Sequence, residues 1–193
     1  MNKRISLQDA VSKVKDGMTV MVGGFLAAGS PIAILDELAQ SGVKDLTLIC
    51  NDTAFADVAH GKLITNKQVK KVIVSHIGTN PNTSEQMNSG ELEIEFSPQG
   101  TLAERVRAAG AGLGGVLTTT GMGTVVAEGK QTVVVDGKEY AVKVGDVITY
   151  TVTLTTPDSI ENIQASTTYD ATKLTLIDAT PAERFPNIAG IVS

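Results

Sequence analysis

Residues 18–42 read MTVMVGGFLAAGSPIAILDELAQSG, and this stretch holds an apolar run, a glycine-rich turn and a helical pattern in succession. The run Met18–Val22 is typical of a buried strand. Ser30 predicts an N-cap, with Pro31 at the first position of a helix that continues to Gly42. A strand followed by a turn and a helix is the repeating unit of α/β proteins.

The same alternation continues on both sides of this stretch. Further strands are predicted at Leu46–Cys50, Val69–Ile77 and Glu91–Phe96, the last of them near an edge or a subunit contact. Further helices are predicted after Ser6 and over Thr101–Ala109, with Thr101 and Glu104 spaced as a capping box. The sequence therefore predicts an α/β fold, with a mainly parallel sheet that carries helices on both faces.

The composition of the chain changes near Tyr140. Of 19 glycines, 17 lie in residues 1–140, whereas threonine occurs 12 times there and 10 times in the last 53 residues. Asp136-Gly137 predicts the turn of a hairpin, and strands alone are predicted beyond it, at Val147–Thr155, Ile160–Tyr169 and Leu174–Ile177. We therefore divide the chain into an α/β domain, 1–140, and a β-rich tail, 141–193.

Composition and charge exclude several classes of protein. The 193 residues contain one cysteine, which leaves no disulfide framework and no paired-cysteine zinc site. Sixteen basic and 21 acidic residues, without a long run of like charge, argue against nucleic-acid binding. No apolar stretch approaches the roughly 20 residues of a membrane span, and the first ten residues lack the apolar core of a signal peptide. These features predict a cytoplasmic protein without a membrane partner.

Three loops are expected to meet at one edge of the sheet, because parallel strands place their carboxyl ends together. The glycine-rich loop after Val22 offers backbone N–H groups to an anionic or carbonyl oxygen, although a tight turn without a ligand fits equally well. Asn51 and Asp52 follow the next strand and are also ordinary turn residues. Gln99, after Phe96, can donate to a carboxylate or thioester oxygen, or simply open a helix.

The remaining reactive residue types do not form a recognisable catalytic set. His60 and His76 lack partners at a metal-binding spacing, and a structural role is the simpler interpretation of both. Cys50 lies in an apolar run and is expected in the core. The alternating Glu91, Glu93 and Glu95 indicate a solvated or subunit-facing row of charge. The sequence thus predicts no metal site and no self-sufficient catalytic apparatus.

Five segments in order carry a family resemblance: GGFLAAGSP, DLTLICNDTAF, SHIGTNP, SPQGTLAERVRAAGAGLGG and TGMGTVVAEGKQ. Together they resemble the alpha subunit of class I CoA-transferases, such as the acetate or acetoacetate (3-oxoacid) enzymes of short-chain fatty acid metabolism. The resemblance implies transfer of coenzyme A between an acyl-CoA and a short-chain carboxylic or 3-oxo acid, through a glutamyl-CoA thioester. It also implies a beta subunit that carries the glutamate, in an α2β2-type assembly.

The resemblance assigns roles to particular residues. It implies no catalytic nucleophile and no metal ligand on this chain, and coenzyme A enters as a substrate rather than as a permanently bound cofactor. Asn51 and Gln99 match supporting positions near the acyl oxygen. The coenzyme A loop matches a run of seven residues: Gly24, Phe25, Leu26, Ala27, Ala28, Gly29 and Ser30.

The tail does not continue this resemblance. Residues 141–193 resemble the opening strands of a cohesin-like β-sandwich module, with an alternating Thr/Val strand and the segments IENIQAS and YDATKLTL. Either the tail completes the sheet of the α/β domain, or the chain is chimeric. The competing function is therefore a non-catalytic adhesion or scaffold protein, or a chimeric protein without activity.

Overall fold

Four parallel strands joined by helices form the main sheet in the computed structural model, which describes residues 5–144. The strands are hydrogen-bonded in sequence order, so each crossover leads to the adjacent strand. The elements of this part of the chain are α1 (Leu7–Val11), β1 (Thr19–Val22), α2 (Ile32–Gln40), β2 (Leu46–Asp52), α3 (Gly61–Thr65), β3 (Val69–His76), α4 (Pro81–Ser89), β4 (Glu93–Phe96) and α5 (Gln99–Gly110).

Both faces of the sheet carry helices, as the sequence predicts. On one face, Leu35 and Leu38 of α2 and Leu63 of α3 are buried in a core that includes Leu48 and Val72 of the central strands. On the opposite face, a smaller cluster consists of Ile49, Ile73 and Leu102, the last of these on α5. Because successive strand residues point to opposite faces, the apolar runs of β2 and β3 supply both cores.

Local signals place several helix ends correctly and misplace two. Ser6 caps α1 as expected, accepting from the backbone N–H of Asp9 at 3.0 Å. The predicted N-cap at Ser30 is wrong, because its hydroxyl donates to the Gly23 carbonyl at 2.8 Å and α2 begins at Ile32. The predicted capping box is also wrong, since α5 starts at Gln99 and Thr101 lies within the helix.

The crossovers after β2 and β3 contain helices that the sequence analysis did not predict. The helix α4 has clear local signals: the Asn80 side chain accepts from the N–H of Asn82, Pro81 lies in the first turn, and Gly90 ends the helix with φ 77°. Its apolar content is low, so a search by hydrophobic periodicity misses it. In contrast, α3 has only five residues and is held by burial of Leu63 and Ile64.

A second, antiparallel sheet follows α5. It consists of β5 (Gly115–Thr118), β6 (Thr132–Val135) and β7 (Lys138–Val144) in the order β5-β7-β6. The predicted hairpin is confirmed, with Asp136 and Gly137 at φ 50° and 74° in the turn. The strand β5 was not predicted from the sequence, and it forms by antiparallel pairing with β7.

Ion pairs around Glu95 connect β4 with its surroundings. The carboxylate of Glu95 lies 2.8 Å from Arg105 on α5, 3.3 Å from Lys71 on β3 and 3.7 Å from Lys130, which precedes β6. Glu93 also pairs with Lys71, at 2.9 Å, and only Glu91 lies outside the strand. Rather than a solvated row of like charges, two of the three glutamates belong to a mixed-charge cluster.

The predicted strands beyond residue 144 lie outside the described residues, and so does nearly all of the tail with its cohesin-like resemblance. The strand β7 continues across the composition change near Tyr140 to Val144. The division of the chain at residue 140 therefore stays a prediction.

Candidate functional site

The loop between β1 and α2 adopts a conformation that costs energy. Phe25 and Ala28 exchange two backbone hydrogen bonds, of 3.0 and 2.9 Å, which close a two-residue turn. Its central residues, Leu26 and Ala27, have φ of 49° and 68°. Left-handed conformations are rare for residues with a Cβ and persist where the surrounding structure enforces them.

Glycine is required at position 24. Gly24 has φ 105°, and a Cβ atom there would lie 2.7 Å from the Ala28 carbonyl oxygen and against the Ser30 hydroxyl. The same hydroxyl closes the base of the loop by donating to Gly23. The seven residues predicted to bind coenzyme A therefore form one tightly folded loop at the carboxyl end of β1.

Asp52, the last residue of β2, binds the backbone of the turn through its carboxylate. Its Oδ2 accepts from the backbone N–H of Leu26 at 2.9 Å, and its Oδ1 accepts from the N–H of Ala54 at 2.6 Å. The side chain is fully buried, so both bonds form where water does not compete. A charged acceptor thus stabilises the left-handed residue Leu26.

Two amide side chains lie beside the loop and bind each other. Asn51 Nδ2 donates to the Gly24 carbonyl at 2.6 Å, and Gln99 Nε2 donates to Asn51 Oδ1 at 2.6 Å. The hydroxyl of Ser75, on β3, lies 2.6 Å from Gln99 Oε1 and 2.6 Å from the Asn51 carbonyl. The edge thus brings together the glycine-rich loop, Asn51 and Gln99, as the predicted parallel sheet requires.

Exposed aromatic residues also follow the carboxyl ends of the strands. The three phenylalanines of residues 5–144 are Phe25, Phe55 and Phe96, with 55%, 43% and 39% of their surface exposed. Each lies at or just beyond the carboxyl end of a strand of the main sheet. Exposed apolar rings around convergent polar groups are typical of ligand sites and subunit contacts.

The cysteine and the histidines near this edge are described by their burial and their neighbours. Burial, with a smaller contribution from the Asp52 charge, raises the pKa of the Cys50 thiol, so the residue is a core residue as predicted. His60 is buried, its Nε2 lies 2.7 Å from the Asp52 carbonyl, and burial lowers its pKa against the opposing effect of Asp52. His76 is exposed at the end of β3.

The chemistry available at this edge is hydrogen-bond donation. Each amide nitrogen carries two N–H groups, and the bonds described above use one from Asn51 and one from Gln99. The second N–H of each can donate to a ligand oxygen. Within residues 5–144, no three His, Cys, Asp or Glu side chains are grouped to hold a metal ion.

Sequence reasoning missed Ser75 at this edge and assigned Asp52 a lesser role. Asp52 was expected at the edge beside Asn51, but a turn residue was the favoured interpretation, and Ser75 was not singled out. The signal for Asp52 was its place beside Asn51 at the end of an apolar run. Ser75 is a polar residue near the end of a similar run, and only its 24-residue separation from Asn51 and Gln99 hides the contact.

The fold and this edge define an α/β protein with a glycine-rich loop and amide side chains at the carboxyl ends of parallel strands, which is where such folds usually bind ligands. The family is shown by the sequence, since residues 4–181 match the Coenzyme A transferase family. The chain belongs to that family. No helix of the part described here has the length and apolar character to cross a membrane.

Two curated relatives show which members of the family are similar. The acetate CoA-transferase subunit alpha of Escherichia coli K12 is 58% identical over 127 residues, which cover 66% of this chain and 58% of the relative. The acetoacetyl-CoA:acetate/butyrate CoA transferase alpha subunit of Clostridium acetobutylicum is 52% identical over 128 residues, covering 66% and 59%. The chain thus spans about three-fifths of the length of these relatives.

A solved structure supports the fold. An acyl-CoA transferase of Escherichia coli O157:H7, determined as a thioester complex with coenzyme A, superposes with a TM-score of 0.65 at 24% identity. The match covers 75% of this chain and 32% of that protein. At this identity the likeness concerns the arrangement of the sheet and its helices.

Proposed function

We propose that the chain is the alpha-subunit part of a CoA-transferase that moves coenzyme A between an acyl-CoA and a short-chain carboxylic or 3-oxo acid. The observation that carries this proposal is the edge of the sheet, where Asn51 donates to the glycine-rich loop and Gln99 donates to Asn51. Family membership and the printed activities of the two relatives support the same substrates.

The chain's own part in the reaction is to bind and to stabilise charge. The loop Gly24–Ser30 is proposed to contact coenzyme A. The second N–H groups of Asn51 and Gln99 are proposed to donate to the acyl or carboxylate oxygen, on which negative charge develops in the transition state. Donors already held in place need no reorganisation during the reaction, and this is why a bound amide pair suits the task.

The nucleophile is proposed to come from a partner. A glutamate on a beta subunit would attack the acyl-CoA, in a cytoplasmic α2β2-type assembly. Phe25, Phe55 and Phe96 are exposed at or just beyond the carboxyl ends of the strands, where a second subunit would cover them. The relatives are themselves described as alpha subunits, which supports the need for a beta chain.

Reconstitution tests the proposal. The purified chain is mixed with the beta subunit of the Escherichia coli acetate enzyme, and exchange of labelled acetate into acetyl-CoA is measured. We expect exchange only when both chains are present. We expect Gln99→Ala to lower kcat about 100-fold, the scale of losing one preorganised donor to a developing oxyanion, and to leave coenzyme A binding within about twofold.

A glutamine outside the site provides the matched control. Gln40 is exposed at the end of α2, and its amide donates to the Asp36 carbonyl at 3.2 Å. Gln40→Ala is therefore expected to retain full turnover. Equal turnover of Gln99→Ala and the unmodified chain would refute the role of Gln99, and absence of exchange with a competent beta subunit would refute the function.

A further inference from the structure

We propose that Ser75 is a positioning residue that holds the Gln99 amide with its N–H groups toward the site. This inference rests on the proposed function and adds a residue to it. Ser75 is half-buried near the carboxyl end of β3, and its hydroxyl lies 2.6 Å from Gln99 Oε1. Gln99 itself is exposed at the first position of α5, where little packing restrains its long side chain.

The direction of the hydrogen bonds follows from one fixed group. The Gly24 carbonyl can only accept, so the Asn51 atom 2.6 Å from it must be the amide nitrogen. Asn51 therefore presents its oxygen to Gln99, which must donate through Nε2. The Gln99 oxygen then faces Ser75, and the serine hydroxyl must be the donor, with its single proton shared between Gln99 Oε1 and the Asn51 backbone carbonyl.

The serine proton completes this orientation. Ser75 also lies 2.6 Å from the Asn51 backbone carbonyl, so one hydroxyl contacts both β2 and the Gln99 side chain. Without it, Gln99 keeps a single bond, to Asn51 Oδ1, and its oxygen has no partner among these groups. Rotation of the amide by half a turn then becomes easier and would present an acceptor where the reaction needs a donor.

Two variants separate positioning from a structural role. Ser75→Ala removes the hydroxyl, whereas Ser75→Thr keeps it and adds a methyl group that a strand accommodates. In the reconstituted enzyme we expect Ser75→Ala to lower kcat about fivefold with KM for acetyl-CoA within twofold, since the net value of one hydrogen bond is about a factor of five. Ser75→Thr is expected to restore kcat to within about twofold.

A second measurement needs no partner and no activity. The Gln99 side-chain amide signals of the isolated full chain are identified by their absence in Gln99→Ala, and their exchange with solvent is followed by NMR. We expect exchange about fivefold faster in Ser75→Ala, on the scale of about one lost hydrogen bond, and unchanged in Ser75→Thr. Ser89→Ala is the matched control, because Ser89 donates to the Gln86 carbonyl at the far end of α4.

The two measurements assign any failure to its cause. If the Gln99 side-chain amide exchanged with solvent at the same rate in Ser75→Ala as in the unmodified chain, the inference would be overturned, whatever the activity. A full kcat in Ser75→Ala, alongside an active unmodified enzyme, would also overturn it. If the unmodified chain shows no exchange with a beta subunit while the amide signals respond as expected, the proposed function fails and the positioning of Gln99 by Ser75 stands.

Discussion

At the scale of the residue, the decisive feature is a buried carboxylate that accepts only backbone N–H groups. Asp52 accepts from Leu26 and Ala54, and its side chain is excluded from water. Two charge-assisted hydrogen bonds offset the cost of burying the charge. They also fix the position of Leu26, whose left-handed conformation would otherwise relax.

Asp52→Asn tests this contribution. Asparagine replaces one acceptor oxygen with an amide nitrogen, so one of the two N–H donors faces another donor. We expect the free energy of unfolding to fall by about 2 kcal/mol, within the range for a hydrogen bond to a charged group. Equilibrium urea denaturation followed by circular dichroism measures it.

The control for this substitution is Asp57→Asn, on an exposed side chain of the following loop. Surface changes of this kind leave stability within about 0.5 kcal/mol. If Asp52→Asn proved as stable as Asp57→Asn, the carboxylate would not be what holds the turn.

At the scale of the element, the loop between β1 and α2 is a rigid unit rather than a flexible linker. Four of the loop residues around the closed turn have positive φ: Gly24, Leu26, Ala27 and Gly29. The Ser30 hydroxyl closes the loop on Gly23, and Asn51 and Asp52 of β2 bind its backbone at Gly24 and Leu26. For the proposed contact with coenzyme A, a loop held this way would keep its backbone groups in place before binding and so lower the entropy lost.

The adjacent glycines allow a matched test of this rigidity. Gly24→Ala would place a Cβ 2.7 Å from the Ala28 carbonyl at a φ that side chains rarely adopt, whereas Gly23 has no atom within 4 Å of its Cβ position. We expect Gly24→Ala to lower the free energy of unfolding by about 1–3 kcal/mol, the scale of local backbone strain.

Gly23→Ala is expected to change the same quantity by less than about 0.5 kcal/mol. Both variants are measured by chemical denaturation under identical conditions. If Gly24→Ala and Gly23→Ala lowered the free energy of unfolding by the same amount, position 24 would have no special geometry.

At the scale of the whole molecule, the Glu95 cluster connects the two sheets. Glu95 belongs to β4, Arg105 to α5 and Lys130 to the segment before β6. Burial by itself would raise the pKa of Glu95. The positive charges of Arg105, Lys130 and Lys71, of which Arg105 has the largest effect, outweigh burial and hold the pKa below its ordinary value. The ionised carboxylate therefore contributes to stability.

Glu95→Gln is expected to lower the free energy of unfolding at pH 7 by about 1–2 kcal/mol, because the hydrogen-bonded charge is lost. A depressed pKa in the folded state gives stability that is present above the ordinary value of 4.5 and lost as pH falls through the folded value. The difference between the two proteins should therefore narrow below pH 4.5. Urea denaturation at pH 7 and at acid pH measures both effects.

Glu104→Gln is the control, since Glu104 pairs with Arg107 on the exposed face of α5. Exposed pairs contribute little, so its unfolding midpoint should stay close to that of the unmodified chain. A constant difference between Glu95→Gln and the unmodified chain across this pH range would contradict the electrostatic explanation.

Local patterns account for what could be predicted. The apolar runs of β2 and β3, the Asp136-Gly137 turn and the Ser6 cap each depend on a few neighbouring residues, and each is confirmed. The helix α4 and the strand β5 were missed because one has little apolar periodicity and the other forms only by pairing with β7.

Local patterns in the sequence are enough to specify the alternation of strands and helices, the glycine-rich loop and the order of the residues that follow each strand. Tertiary structure alone decided which polar side chains meet. Gln99 and Asn51 are 48 positions apart, and Ser75 lies 24 from each. Their contact requires β2, β3 and the start of α5 to be adjacent, and that adjacency comes from burial of apolar residues elsewhere in the sheet.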